Sequence, residues 1–444
     1  MYKNDNNGGD DDDDDDGGGV GGGGAGESEG YFLFCVPKAW VSSKNSHAKN
    51  SSLATIVLLL NSMIGSGILV QAYVFREAGI VNTIVEYALV GTMTFVGVDL
   101  LIRCADQTQI FEYSELCTAA FGASGETVLD VSVVTGALGA LLSYIVIIGS
   151  LSENIIMLHD VAPAWYTSAT FWSFVLVTLF VVPTCCIRNY GHLAFISYIS
   201  ISAITGTILL VLFGGPANAA AHRHEELNMS NMKGSLETIG SVVFAFNYAS
   251  AVFHSYMGMR RSERTVEKFS RVAVWTTSLG VCMCFLLGLV GYLCFRSDVD
   301  ADILENFSSG AGTFFKVVVI VHLILYIPGD FLIMRYSFFK LLGLNAVTAS
   351  DGPYFGGTFF LIALATLLAC LIQLYASSSQ SLSMILDLTG GISGSMVSFI
   401  LPGLMAMRLL STDAETYLRG LLLVIFGSIV PVLVLLSNVM KRLA

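Results

Sequence analysis

The chain has 444 residues, of which 54% are hydrophobic and 13% charged, about half the roughly 25% charge of an ordinary soluble protein. So much apolar surface with so few charges excludes a soluble enzyme and a disordered scaffold, and selects an all-α, polytopic membrane protein. The net charge of −12 splits evenly between residues 1–52 and the rest, so it implies no basic partner.

In chain order, residues 1–51 come first. Asp10 to Asp16 followed by a glycine-rich run predict a disordered, self-repelling cytoplasmic tail. It lacks the basic start and apolar core of a cleavable leader. Residues 52–444 read as one transmembrane domain. A helix crossing a bilayer needs about 20 mostly apolar residues, and eleven windows qualify: 53–74, 80–102, 127–150, 169–187, 193–214, 235–257, 272–295, 311–334, 354–375, 382–403 and 417–438. The fourth is the shortest. Residues 103–126 read as an interfacial helix and its ends.

Lys and Arg placement orients the spans. The 257–271 loop carries Arg260, Arg261, Arg264, Lys268 and Arg271, and this puts the N-terminus in the cytoplasm and the C-terminus outside, with Lys441 and Arg442 as dissenting charges. Two sequons, at Asn228 and Asn306, then fall on outer loops as glycosylation candidates. The nine cysteines lie mostly inside apolar runs and form no disulfide framework. His222 and His224 beside Glu225 and Glu226 read as a solvated loop, so no metal site is expected. No catalytic constellation, nucleotide-binding motif or nucleic-acid signature is present, so neither an enzyme nor a cofactor is expected.

A carrier for a polar solute needs unpaired backbone groups at mid-membrane, which a broken helix supplies. The first span contains Asn61-Ser62-Met-Ile-Gly65-Ser66-Gly67. Two glycines around a serine weaken a helix, and the freed N–H groups at the start of the second half suit a carboxylate. The same glycines would also let two helices pack closely.

The stretch NSMIGSGIL, with Ala72-Tyr73 and Ala78-Gly79 after it, resembles the first helix of the amino acid/auxin permease family, and most of all its sodium-coupled neutral amino acid transporter branch. The resemblance continues in order through Tyr113-Ser-Glu-Leu, Leu141 to Leu151, Phe244-Ala-Phe246 with Tyr256, Gly291 to Phe295, Pro328 with Arg335, and Leu388-Thr-Gly-Gly-Ile-Ser-Gly to Pro402. It implies eleven helices in a five-plus-five inverted repeat, helices one and six broken, and movement of amino acids coupled to H+ or Na+. On that pattern Asn61, Ser62, Gly65, Ser66 and Gly67 hold the substrate's amino and carboxyl groups. Ser143, Tyr144, Phe246 and Asn247 line its side-chain pocket. Neutral substrates are expected, because no unpaired charge is evident at those positions.

Two departures from the family pattern stand out. Helix six has neither Gly nor Pro between Asn247 and His254. Four residues before Pro328, where sodium-coupled relatives carry a hydroxyl, this chain has Ile324, which has no oxygen for a hard cation. Proton coupling is therefore preferred, with the intramembrane groups His322, Asp330, His254 and Glu86 as carriers and His322 first. Asp330 has a simpler role open to it, a pair with Arg335. The expected setting is a plasma or vacuolar/lysosomal membrane. The alternative function is a non-transporting amino acid sensor that uses the same pocket and signals through the tail.

Overall fold

The structure, a computed structural model, describes residues 50–443 apart from 159–161, 188–192, 220–223, 309, 345, 347, 348, 376, 377 and 412. Residues 1–49 of the expected tail, and His222, lie outside the described residues. Regular structure among the described residues is helical, with one isolated bridge between Asn50 and Met259.

Among the described residues, eight helices are long and apolar enough to cross a membrane, and a bent pair, Ser52–Met63 with Ser66–Ala78, makes a ninth. Two shorter apolar helices, Ala169–Cys185 and Tyr198–Gly214, stand at the fourth and fifth positions. The eleven expected windows thus have eleven helical counterparts in order, and the short Tyr113–Phe121 helix occupies the interfacial segment. Below, the near face is the side on which Ser52 begins span one, and the far face is the opposite side.

Burial in this molecule is inverted relative to a soluble protein. Phe213, Trp275 and Val432 stand exposed on the outside, whereas Ser66, Gln71, Ser143 and Lys316 have no exposed surface. Lipid is the solvent that rewards this arrangement, and each polar group inside must then find a partner. Helix starts are capped in the ordinary way: Ser51 Oγ accepts from the Ala54 amide at 3.3 Å, and Thr265 Oγ1 from that of Lys268 at 3.3 Å.

Spans one and six lead the two five-span halves, and both are interrupted. Span one ends its first helix at Met63, passes through Ile64 and Gly65, makes one 3₁₀ turn at Ser66–Ile68, and resumes at Gln71, with a 65° bend between its halves. Span six stops at Ala245 and restarts through a 3₁₀ turn at Ala249–Ala251, without so sharp a bend. Its break therefore forms without Gly or Pro. Span ten widens into π-helix over Thr389–Gly394 and again over Met396–Ile400. Spans six and ten touch backbone to backbone: a Cβ on Gly240 would stand 2.0 Å from the Asp387 carbonyl, and one on Gly390 2.0 Å from that of Gly240.

Both ends of span one are tied down. On the near face the Asn50 amide donates to Gly258 O at 3.1 Å, Arg260 N donates to Asn50 O at 3.0 Å, and the Ser52 amide and hydroxyl both donate to Glu263 Oε2 at 2.8 and 2.7 Å. On the far face the loop after span seven reaches over. Ile303 N donates to Leu69 O at 3.2 Å, and Arg76 donates to the Val299 carbonyl at 2.5 Å. Buried Lys316 holds the end of that loop through Phe307 O at 2.6 Å and reaches Asn154 on span three.

Neither sequon asparagine has an idle side chain. Asn228 Nδ2 donates to the carbonyls of Arg76 and Glu77 at 2.9 and 3.2 Å, and Asn306 Nδ2 donates to Asp298 O at 2.7 Å. A glycan on either nitrogen would have to displace these bonds.

Candidate functional site

A cavity of about 100 Å³ opens beside the break in span one. Its walls come from Ser62, Met63 and Gly65 of span one, the Ser132–Tyr144 stretch of span three, and Phe244, Asn247 and Ser250 around the break in span six. Asp330 and Ile333 of span eight and Thr389, Ser393 and Val397 of span ten complete it. Followed along each span's direction, these positions lie from mid-membrane toward the near face.

The far side of the break is closed by packing and hydrogen bonds. Gln71 Nε2 donates to Gly67 O at 2.6 Å, which satisfies a carbonyl freed by the interruption, and the Tyr87 hydroxyl donates to Gln71 Oε1. Tyr87 packs edge-on against Phe246 and Phe75, with centroids 5.1 and 5.8 Å apart. A Cβ on Gly67 would stand 2.8 Å from Ala245 Cα, so the two broken helices meet in direct backbone contact there. The Gly-Ser-Gly triplet therefore serves both readings made of it: it breaks the helix and it permits close packing.

Four of the nine expected substrate residues line the cavity: Ser62, Gly65, Tyr144 and Asn247. The other five do not. Ser66 is buried, and its hydroxyl shares a 2.7 Å hydrogen bond with that of Ser143, which in turn donates to Ala140 O. Gly67 and Phe246 belong to the seal on the far side. Asn61 accepts at its backbone carbonyl from the Tyr326 hydroxyl at 3.1 Å, and its buried Oδ1 has no hydrogen-bond partner. Asn247 Oδ1 accepts from Ser398 at 2.7 Å and from the Ala249 amide at 3.3 Å, so this side chain stitches span six to span ten across the break.

The ionisable candidates separate clearly. Asp330 faces the cavity, half-buried, and its Oδ2 accepts from the Tyr144 hydroxyl at 2.8 Å. That hydroxyl also lies where a Cβ on Gly65 would be 3.0 Å away, so one tyrosine bridges the carboxylate and the break. This corrects the expectation of an uncharged pocket. It also corrects the suggested pair with Arg335, whose guanidinium turns to Cys185 O at 2.7 Å and to Thr358, and lies 4.5 Å over the Tyr354 ring. His322 is 2% exposed, with neither ring nitrogen hydrogen-bonded and its centroid 5.6 Å from that of Tyr326. It is sealed away from the cavity, so its first rank is not supported by position. Glu86 is buried near Ser235 and Asp387, also away from the cavity. His254 stands exposed on the second half of span six and does not line the site.

Sequence reasoning did not pick out Ser132, Ser250, Thr389 or Ser393. Thr135 Oγ1 and Ser393 Oγ are 2.9 Å apart, joining spans three and ten at the cavity wall. The Leu388–Gly394 run carried the signal, because π-helix opens the hydrogen-bond ladder and is enriched at functional sites. Asp387, buried on span ten, also lay outside the expectations. Its Oδ1 accepts from the Gly240 amide at 2.8 Å and its Oδ2 from Asn438 at 3.4 Å, tying spans six, ten and eleven together.

The profile of the family described as "Transmembrane amino acid transporter protein" matches residues 48–440. The chain is 26% identical over 386 residues to a mouse protein named "Putative sodium-coupled neutral amino acid transporter 11", covering 85% of this chain and 82% of the relative. It is 21% identical over 388 residues to the Arabidopsis thaliana "Amino acid transporter AVT6E" (83% and 78% covered), and 22% identical over 439 residues to the Saccharomyces cerevisiae "Vacuolar amino acid transporter 6" (84% and 96% covered). Among solved structures it shares its fold with MhsT in complex with L-phenylalanine, at a TM-score of 0.53 and 14% identity, covering 89% of this chain and 99% of that one.

Proposed function

The chain belongs to the transmembrane amino acid transporter family, an integral multi-pass membrane family, and from that premise we propose that it is a proton-coupled secondary carrier of neutral amino acids working by alternating access. The observation that carries the proposal is the cavity itself: two interrupted helices, one carboxylate, and a seal on a single side. The substrate's carboxyl group is assigned to the break in span one around Gly65, where Ser62 and the start of the second half-helix supply donors. Asn247, Ser250, Thr389 and Ser393 face the rest of the molecule.

Proton rather than sodium coupling is favoured by two features. Ile324 on span eight carries no oxygen and packs against the apolar core, whereas a hard cation needs a shell of oxygens. Asp330, unlike the sealed His322, opens onto the same cavity as the substrate, so loading and proton binding share one site. With the near face assigned to the cytoplasm by its basic loops, the described conformation is the inward-facing one. The far-side seal of Gln71, Tyr87 and Phe246 then has to open for the other half of the cycle.

Uptake into proteoliposomes after a pH jump, in sodium-free buffer, tests the reading. The expected result is accumulation of a neutral amino acid that follows the proton gradient. Uptake that ignores the proton gradient and requires sodium on the substrate side would overturn it.

A further inference from the structure

Asp330 is the one formally charged side chain among the eighteen residues lining the cavity. Among the described residues, the groups around it bring no cation. Span three offers Tyr144 and its own span offers Tyr326, while the facing parts of spans one, six and ten offer hydroxyls and an amide from Ser62, Asn247, Ser250 and Thr389.

An ionised carboxylate inside an apolar slab is costly until a countercharge or a proton joins it. A neutral amino acid enters as a zwitterion and adds nothing to the sum, so the loaded cavity keeps one negative charge unless a proton sits on Asp330. A lysine- or arginine-like substrate brings its own positive charge and reaches the same total of zero without a proton. An acidic substrate raises the total to two negative charges. We infer that Asp330 admits cationic amino acids to this cavity in place of the pair formed by a neutral amino acid and a proton, and disfavours acidic ones. The inference rests on the transport reading above and adds a substrate class to it.

Lysine and Nε-acetyl-lysine test it, because the second keeps the side chain's length and removes its charge. Binding of each to the purified full chain is measured across pH 5 to 8. Ionised Asp330 takes lysine and protonated Asp330 takes the acetylated probe, so the ratio of the two affinities rises about tenfold per pH unit. In Asp330→Asn the ratio becomes independent of pH. A flat ratio in the unaltered protein, which needs no variant to measure, would overturn the inference, as would an unchanged slope in Asp330→Asn. If neutral amino acids bind but lysine is excluded at every pH, this inference fails alone. If no amino acid of any class binds, the transport reading fails and takes the inference with it.

Discussion

Replacing Tyr144 with Phe removes one oxygen and leaves the ring where it is, packed edge-on to Tyr326 with centroids 5.6 Å apart. That oxygen makes the 2.8 Å hydrogen bond to Asp330, and no other hydrogen bond to this carboxyl is made among the described residues. A hydrogen bond to a charged group contributes about 1.5–3 kcal/mol. At about 1.4 kcal/mol per factor of ten, the ionised, proton-released form of Asp330 becomes roughly 10- to 150-fold rarer in the variant. Net transport passes through that form once per cycle, because the carrier must return without its proton. Exchange of one substrate molecule for another does not require it. Gradient-driven uptake by Tyr144→Phe is therefore expected to fall by at least about tenfold, and counterflow exchange by a clearly smaller factor, in the same proteoliposomes. Equal losses in both assays would mark Tyr144 as a packing residue only, and no loss in either would remove the Tyr144–Asp330 bond from the mechanism.

The far-face loop should respond to pH. Burial pushes Asp302 up to about 7 and Glu305 up to about 8, against the partial relief of Lys316 and with Asp300 adding to the rise. Both carboxyls hold protons in the docked loop that they would release if exposed, so docking is firmest in acid and weakens as pH climbs from about 5 toward 8, by at most about 1.4 kcal/mol per pH unit for each group. Hydrogen exchange over residues 298–308, corrected for intrinsic rates, should show more protection at pH 5.5 than at pH 8, and equal protection would refute this. Gly67→Ala drives a Cβ to 2.8 Å from Ala245 Cα, a backbone atom that cannot swing aside, and should cost about 1–3 kcal/mol with a matching fall in melting temperature. Gly356→Ala meets nothing within 4 Å on an intact helix and should be neutral or stabilising by up to about 1 kcal/mol, so a similar loss in both variants would discredit the packing argument. Glu263→Ala removes the acceptor for both donors of Ser52, and the first turn of span one should then exchange its amides faster; unchanged exchange at Ser52 would show that the tie is idle.

The span count was legible because crossing hydrocarbon imposes a length, and the eleven apolar windows meet it with little ambiguity. The break in span one was legible for an equally local reason: Gly65 and Gly67 are poor helix formers within one turn of each other. Which side of a span faces the cavity is a different kind of information. Ser66, Ser143 and Phe246 sit at the right depth but turn toward other partners, and Asn61 is half-buried without lining the cavity, since the cavity lies on one side of the break only. Asp330 could satisfy either Arg335 on its own helix or a cavity. Only the engagement of Arg335 by Cys185 and Thr358, on spans four and nine, decides between them. Ser132, Thr389 and Ser393 carried little signal singly, because a hydroxyl in a helix usually bonds its own backbone, as Thr389 does to Ile385 O at 2.6 Å. Their role comes from the convergence of spans three and ten. The break in span six had no Gly or Pro to announce it, and Asn247, which spans the gap through Ser398 and Ala249, was its one visible trace.

The widened turns of span ten bear on how relatives of this chain should be compared. A π turn holds one residue more than the α turn it replaces, so it behaves as an insertion absorbed without a loop. Removing a single residue from Thr389–Gly394 would restore the tighter winding and leave everything beyond it, through Pro402, facing as before, because the wide turn takes up its extra residue locally. A homologue shorter by one position in this stretch would then keep the facing of the residues on either side and differ only within the turn itself, where Thr389, Ser393 and Gly394 border the cavity. A one-residue gap here therefore marks a wide turn lost from the cavity wall rather than alignment noise.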